Sequence, residues 1–220
     1  MGGIEEPRAS HDDYGDVWTD AIKGAYYSYV HKINRGEYEP RWRGVRVVKL
    51  PTDLILYAEV IFKHKPDYIV EAGTRFGGSA LFFGDMLMLS GGKKVITIDI
   101  KPARNLQPHP FVEYVTDSTT NINYFRRLRA SLKDKGSVMV VLDSDHNTDH
   151  VAKELEWYSQ IVTKEQYLVV EDCWTWRTKP WLPYPAVEEF LKKRDDFRRY
   201  HLEKKFVFSI TRDGWLFKVK

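Results

Sequence analysis

Two carboxylate-rich stretches are equipped for chemistry. Asp143, Ser144, Asp145 and His146 follow one apolar run, and Glu171 and Asp172 follow another. If those runs are neighbouring strands, their ends lie about 5 Å apart, and three or more carboxylates converge on one sheet edge. Without a cation they repel, and at least one pKa rises. A hard divalent ion relieves this: Mg2+ takes oxygen ligands and keeps positions open for water or substrate oxygens. Such an ion orients a hydroxyl and favours its alkoxide. The competing reading makes Asp143 and Asp145 helix caps and Glu171 or Asp172 the start of a turn. His146 and His150 are four apart on an expected helix, but they lack the His-Glu-x-x-His frame of a zinc hydrolase.

A second constellation is Glu71-Ala72-Gly73-Thr74-Arg75-Phe76-Gly77-Gly78-Ser79, between an expected strand and an expected helix. A glycine turn lets a ligand approach the backbone, and the helix start offers free N–H donors. Asp99 ends the next apolar run, where a carboxylate suits a ribose hydroxyl pair. Asp117 and Ser118 end the third, where a nucleoside base would lie. Gly73 to Gly78 lacks the middle glycine of the dinucleotide fingerprint, and Arg75 in that place obstructs a pyrophosphate. A ligand without phosphate fits better, which points to S-adenosylmethionine (SAM). The alternative is a sharp strand-to-helix turn with no ligand.

These residues need a scaffold that brings strand ends together. Apolar runs at Tyr68–Val70, Val95–Ile98, Val112–Val115, Val138–Leu142 and Tyr167–Val170 alternate with helical stretches at about 77–89, 119–133 and 147–163. Continuous apolar strands separated by helices imply a parallel sheet covered on both faces. The fold class is therefore α/β: a doubly wound, mostly parallel Rossmann-like sheet. Phe206–Ile210 and Trp215–Val219 flank Thr211-Arg212-Asp213-Gly214, which reads as a C-terminal antiparallel hairpin. Pro51-Thr52-Asp53 opens a helix to about Lys63. Residues 1–50 read as an aromatic and helical extension, with a possible helix over 17–32, and residues 51–220 as the catalytic domain.

Composition narrows the class. The 220 residues carry 34 Lys and Arg against 31 Asp and Glu, a net +3 too small to demand nucleic acid or membrane as partner. One cysteine, Cys173, excludes an intramolecular disulfide framework and a multi-cysteine metal site within one chain. The longest strongly apolar run, Leu54–Phe62, is too short to span a bilayer, and the first residues lack the apolar stretch of a signal peptide. A cytoplasmic location is expected.

The chain resembles the cephalosporin hydroxylase/rhamnosyl O-methyltransferase family of class I SAM-dependent methyltransferases. The resemblance runs from about Trp42 to the C-terminus. It rests on Pro66-Asp67-Tyr68-Ile69-Val70-Glu71-Ala72-Gly73, Gly77-Gly78-Ser79, Val141-Leu142-Asp143-Ser144-Asp145-His146 and Tyr167-Leu168-Val169-Val170-Glu171-Asp172. It implies a SAM site lined by Glu71, Gly73, Ser79, Asp99 and Asp117, with Thr74, Gly77, Gly78, Ser118 and Asp143 beside them. It also implies Mg2+ held by Asp143, Glu171 and Asp172. In catechol-type enzymes a base often follows the first acid by three residues; here that place holds His146, a credible proton acceptor, with Asp145 to orient it.

The expected reaction is transfer of a methyl group from SAM to a hydroxyl of a small molecule, a sugar or natural product. Trp174, Trp176, Arg177 and Trp181 would contact the acceptor, stacking on a ring and pairing an anionic group; a packed lid or subunit contact is the alternative for that stretch. A homo-oligomer is expected. An RNA methyltransferase would draw on Arg126, Arg127 and Arg129 and on the basic residues at 192–194 and 198–199, which read better as solvated surface. A SAM-binding protein without turnover is the non-enzymatic alternative.

Overall fold

In the computed structural model, the described residues are 40–173, 182–206 and 209–220, with Gly24, Ser28, Lys32 and Arg35 before them. Trp174, Trp176, Arg177 and Trp181, expected to meet the acceptor, lie outside the described residues, as does most of the expected helix over 17–32. The chain divides into compact units at Met1–Tyr38 and Glu39–Lys220. Residues 40–50 fall in the larger unit.

The larger unit opens with a small antiparallel pair, β1 (Arg41–Trp42) and β2 (Val45–Arg46), followed by helix α1 (Pro51–His64). Then come β3 (Tyr68–Ala72), α2 (Gly78–Ser90), β4 (Lys94–Asp99), β5 (Val112–Thr116), α3 (Ile122–Leu132), β6 (Val138–Leu142), α4 (Thr148–Tyr158) and β7 (Tyr167–Val170). The chain closes with α5 (Pro183–Lys192), β8 (Phe197–Arg199), a 3-10 turn (Leu202–Lys205) and β9 (Trp215–Lys218). The seven-stranded sheet has the order β5-β4-β3-β6-β7-β9-β8. The first five strands in that order are parallel, and β9 pairs antiparallel with both β7 and β8.

Side-chain alternation explains the two-sided core. From β3, β6 and β7, Val70, Val140 and Leu168 enter one apolar cluster with Phe125, Leu155 and Tyr158 of α3 and α4. The intervening Ile69, Met139, Val141 and Val169 enter the other with Leu56, Ile61 and Phe83 of α1 and α2. Strands covered on both faces must be continuous apolar runs.

The C-terminal hairpin differs from expectation. The partner of β9 is Phe197–Arg199, with Arg198 opposite Phe217, and not the segment at 206–210. The described part of that segment is committed elsewhere. Ile210 donates its backbone N–H to Asp53 Oδ2 (3.0 Å) and Ser209 Oγ donates to Asp53 Oδ1 (2.6 Å). A buried carboxylate on α1 takes the Ile210 N–H that a strand would have spent on a ladder.

Candidate active site

The strand order reverses between β3 and β6, because β3 leads outward to β4 on one side while β6 leads to β7 on the other. In doubly wound sheets, ligands bind at this switch point, beyond the carboxyl ends of the strands. Both sequence constellations lie there. Asp143 N–H donates to Ala72 O (2.8 Å), and Glu171 N–H donates to Leu142 O (3.0 Å), so the ends of β3, β6 and β7 are stitched side by side. Gly73 has φ +100°, and a Cβ there would lie 2.0 Å from the carbonyl oxygen of Asp143. The glycine turn and the first acid are thus in backbone contact.

On the glycine-turn side, Glu71 is fully buried and accepts from Thr97 Oγ1 (2.7 Å). Burial pushes its carboxyl up to about 7, against the pull of Lys49, Ser79 and Thr97. Gly77 caps α2, and Gly78 and Ser79 form its first turn. Asp99 ends β4, but its carboxylate braces the turn: Oδ2 accepts from the N–H groups of Thr74 (3.1 Å) and Arg75 (2.8 Å), and Oδ1 from that of Lys101 (2.8 Å). Asp117 accepts from Ser118 N–H (2.7 Å) and Asn121 Nδ2 (2.8 Å), organising the loop into α3.

The acid cluster is tighter and more selective than expected. Ligand-capable atoms of Asp143, His146 and Asp172 lie within 4.8 Å of one another. His146 Nε2 is 3.3 Å from Asp143 Oδ1 and 3.2 Å from Asp172 Oδ2. Burial alone would lower the imidazole pKa, but Asp172, Asp143 and Glu171 outweigh it and raise it to about 9. Burial would likewise raise Asp143; Lys49 and His146 reverse that and hold it at about 2. Asp172 is raised, by burial first and by Asp143 next, and it sits at φ +55°. A non-glycine residue in that region is uncommon and recurs at functional sites.

Glu171 does not join the cluster of three. It is fully buried, and its Oε1 accepts from Lys49 Nζ (2.6 Å) and Tyr57 OH (2.7 Å). Its Oε2 is buried without a hydrogen-bond partner. Asp145 does not orient His146 either. It is exposed and accepts from Asn147 N–H (3.0 Å), ahead of α4, so the carboxylates on the imidazole are Asp143 and Asp172. His150 is separate from the cluster: it faces Ser144, Thr119 and Glu154 at 3.1 to 3.2 Å.

The sequence reading missed Lys49. Its ammonium is 1% exposed and bonds Asp143 Oδ2 (2.7 Å) as well as Glu171. A signal existed: a single cation inside the apolar run Val47-Val48-Lys49-Leu50, just before the helix-opening Pro51. A lysine is almost never fully buried unless paired. The hairpin that delivers it is anchored by Asp85 of α2, which accepts from Trp42 Nε1 (2.7 Å), Arg43 Nε (2.7 Å) and Arg43 Nη2 (2.6 Å).

The donor chemistry fits a hard divalent cation. Asp143 and Asp172 offer carboxylate oxygens beside the His146 nitrogen, and the orphaned Glu171 Oε2 is a further oxygen with no other use in the fold. A cation there would also offset the charge surplus that holds the His146 proton on.

Comparison with known proteins identifies the family and the fold. The family described as Rhamnosyl O-methyltransferase/CmcI matches residues 34–219. A rhamnosyl O-methyltransferase of Mycobacterium leprae is 30% identical over 217 residues, covering 91% of this chain and 92% of that one. Its counterpart in Mycobacterium tuberculosis H37Rv is 27% identical over 215 residues, covering 91% and 86%. A solved structure of CmcI with Mg and SAM has the same fold: its TM-score is 0.66 at 21% identity, over 98% of this chain and 90% of that one.

Proposed function

The chain belongs to the rhamnosyl O-methyltransferase/CmcI family, and from that premise we propose that it moves a methyl group from SAM to a sugar hydroxyl at the Asp143–His146–Asp172 cluster. Family membership supports O-methyl transfer, and the donor set of the site supports a metal-dependent enzyme that uses SAM. The observation that carries the site assignment is the contact between the two constellations: the Gly73 turn touches Asp143, whose carboxylate touches His146. A methyl donor on the turn and a hydroxyl at the acids would then be adjacent.

Asp143 and Asp172 would hold Mg2+, with Glu171 Oε2 as the third carboxylate oxygen. Bound there, the ion supplies a Lewis acid that lowers the pKa of an acceptor hydroxyl. With Asp143 and Asp172 committed to an ion, their pull on the His146 proton would weaken, and His146 would be the group to act as general base. His146 then accepts the hydroxyl proton, the oxygen forms a bond to the methyl carbon, and the sulfur–methyl bond breaks to leave S-adenosylhomocysteine. The Gly73–Ser79 turn and the start of α2 would position the donor, and fixing both reactants supplies much of the acceleration.

Several observations favour a small acceptor over RNA. Three of the eight basic residues that RNA would need are closely paired: Lys192 with Glu189 (2.7 Å), Arg194 with Asp196 (2.6 Å) and Arg199 with Glu188 (2.5 Å). The acceptor is read as a deoxysugar hydroxyl of the rhamnosyl type, after the activity named for the curated relatives. Trp174, Trp176, Arg177 and Trp181, directly after the acids, remain the proposed acceptor contacts. The same reading places the enzyme in the cytoplasm as a homo-oligomer; among the described residues no helix is long and apolar enough to cross a membrane.

The test is calorimetric titration with SAM, with and without Mg2+, followed by turnover on rhamnosides. Asp143→Asn should abolish turnover while leaving SAM binding largely intact. Absence of SAM binding under every condition refutes the assignment.

A further inference from the structure

Lys49 is the described cation at the centre of the acid cluster. Its single ammonium bonds acids from two adjacent strands, Asp143 Oδ2 after β6 and Glu171 Oε1 after β7, at 2.7 and 2.6 Å. It is 1% exposed, so these bonds are made out of water. Charge-assisted hydrogen bonds of this kind fix geometry as well as energy. Tyr57 OH adds a second donor to Glu171 Oε1 (2.7 Å), and its ring is clamped between Phe83 and Trp215, with centroids 5.0 Å from each.

The oxygens left over are informative. Asp143 Oδ1 faces His146 at 3.3 Å, and Glu171 Oε2 is buried with no partner. Each of the two acids therefore has one oxygen held by Lys49 and one that Lys49 does not touch. Metal ligands are commonly oriented in this way by groups that do not touch the metal.

We propose that Lys49, supported by Tyr57, is the positioning residue of the metal centre: it grips one oxygen of Asp143 and one of Glu171 and so leaves the other oxygen of each to the cation. The inference rests on the metal reading above and adds the device that shapes the donor set. It also assigns a function to residues 40–50: β1, β2 and the Asp85 anchor bring the ammonium to the sheet edge. The opposite role is conceivable for a buried ammonium, namely as a competitor that occupies the cation position, and it predicts the opposite result.

The experiment is calorimetric titration with Mg2+ of the wild-type chain, Lys49→Met and Tyr57→Phe, each checked for folding and titrated in parallel with S-adenosylhomocysteine. Lys49→Met should weaken Mg2+ binding roughly 10- to 100-fold, the usual effect of losing an outer partner of a metal ligand, and leave S-adenosylhomocysteine binding unchanged. Tyr57→Phe removes one donor without changing shape and should weaken Mg2+ binding by a smaller factor. It decides the matter alone if the Lys49 variant does not fold. Mg2+ affinity that is unchanged or tighter in the folded variants overturns the proposal. Equal loss of both ligands also overturns it, by making Lys49 a general structural pin. A wild-type chain that binds S-adenosylhomocysteine but no Mg2+ overturns the metal reading beneath it, a distinguishable result.

Discussion

Replacing Gly73 with alanine tests the join between the two halves of the site. Two costs arise, and the structure separates them. The first is conformational: φ is +100° at Gly73, and placing an L side chain in left-handed backbone costs about 1–2 kcal/mol. The second is steric. The new Cβ would lie 2.0 Å from the Asp143 carbonyl oxygen and 2.7 Å from its carbon, whereas 3.4 Å is ordinary contact. Both atoms are backbone, so a strand end must retreat by more than 1 Å, on the order of the overpacking that costs about 1–3 kcal/mol. The expected loss is about 2–5 kcal/mol. Gly91 supplies the control: its φ is +86°, but a Cβ there meets nothing within 4 Å, so Gly91→Ala should cost only the conformational share, about 1–2 kcal/mol. Urea unfolding followed by tryptophan fluorescence measures both, provided the m-values agree. Because the displaced atoms belong to Asp143, Gly73→Ala should also lower turnover by roughly 100-fold, the scale of a 1 Å misplacement. Equal stability losses in the two variants, or a Gly73→Ala enzyme with unchanged turnover, would refute the reasoning.

Other consequences are as direct. In metal-free protein His146 is raised to about 9 from 6.5, so it contributes stability that is fully present below pH 6.5 and disappears as the pH rises through about 9. With its side chain 31% exposed, solvent screening reduces that contribution to about 1–2 kcal/mol; urea midpoints should fall over this window, and His146→Gln should flatten the change. Asp85→Asn should cost about 2–3 kcal/mol, chiefly through Trp42 and through His109, whose Nε2 lies 3.1 Å from Asp85 Oδ1, because Arg43 is 48% exposed; an unfolding midpoint at the wild-type value would show that the hairpin is held otherwise. Cys173 is fully buried, and burial pushes its thiol well up, so a thiol reagent should leave the folded chain unlabelled and label it fully in urea.

The parts of the fold that were legible in the sequence are those where one interaction dominates. β3, β4, β6 and β7 are buried on both faces, so hydrophobic burial writes them as largely apolar runs, broken only by Glu71 in β3 and by Lys94, Thr97 and Asp99 in β4. The strand expected at 206–210 has a similar composition, but its described residues Ser209 and Ile210 are claimed by Asp53, more than 150 positions away, and no local pattern reports such a partner. The site divides in the same way. The acids were visible because several carboxylates on two strand ends are costly without a purpose. Which of their oxygens are bonded within the fold was not visible, because that depends on Lys49 and Tyr57, which meet them only in the folded chain. Asp145 and Asp99 were read by type; the structure gives Asp145 to the start of α4 and Asp99 to the glycine turn.

The span of the Lys49 contacts has a consequence for how the protein is made. Lys49 precedes Asp143 by 94 positions and Glu171 by 122, and Tyr57 precedes Glu171 by 114. Closing loops of about 100 residues costs roughly 2 kcal/mol more than closing loops of 10, and contacts of such separation slow folding. The centre is thus completed late, after β3 and β6 are paired. Synthesis proceeds from the N-terminus, and early segments organise first. The ammonium therefore leaves the ribosome well ahead of both carboxylates. Asp143 arrives next and Glu171 last, so each acid enters the nascent sheet with its counter-charge already made.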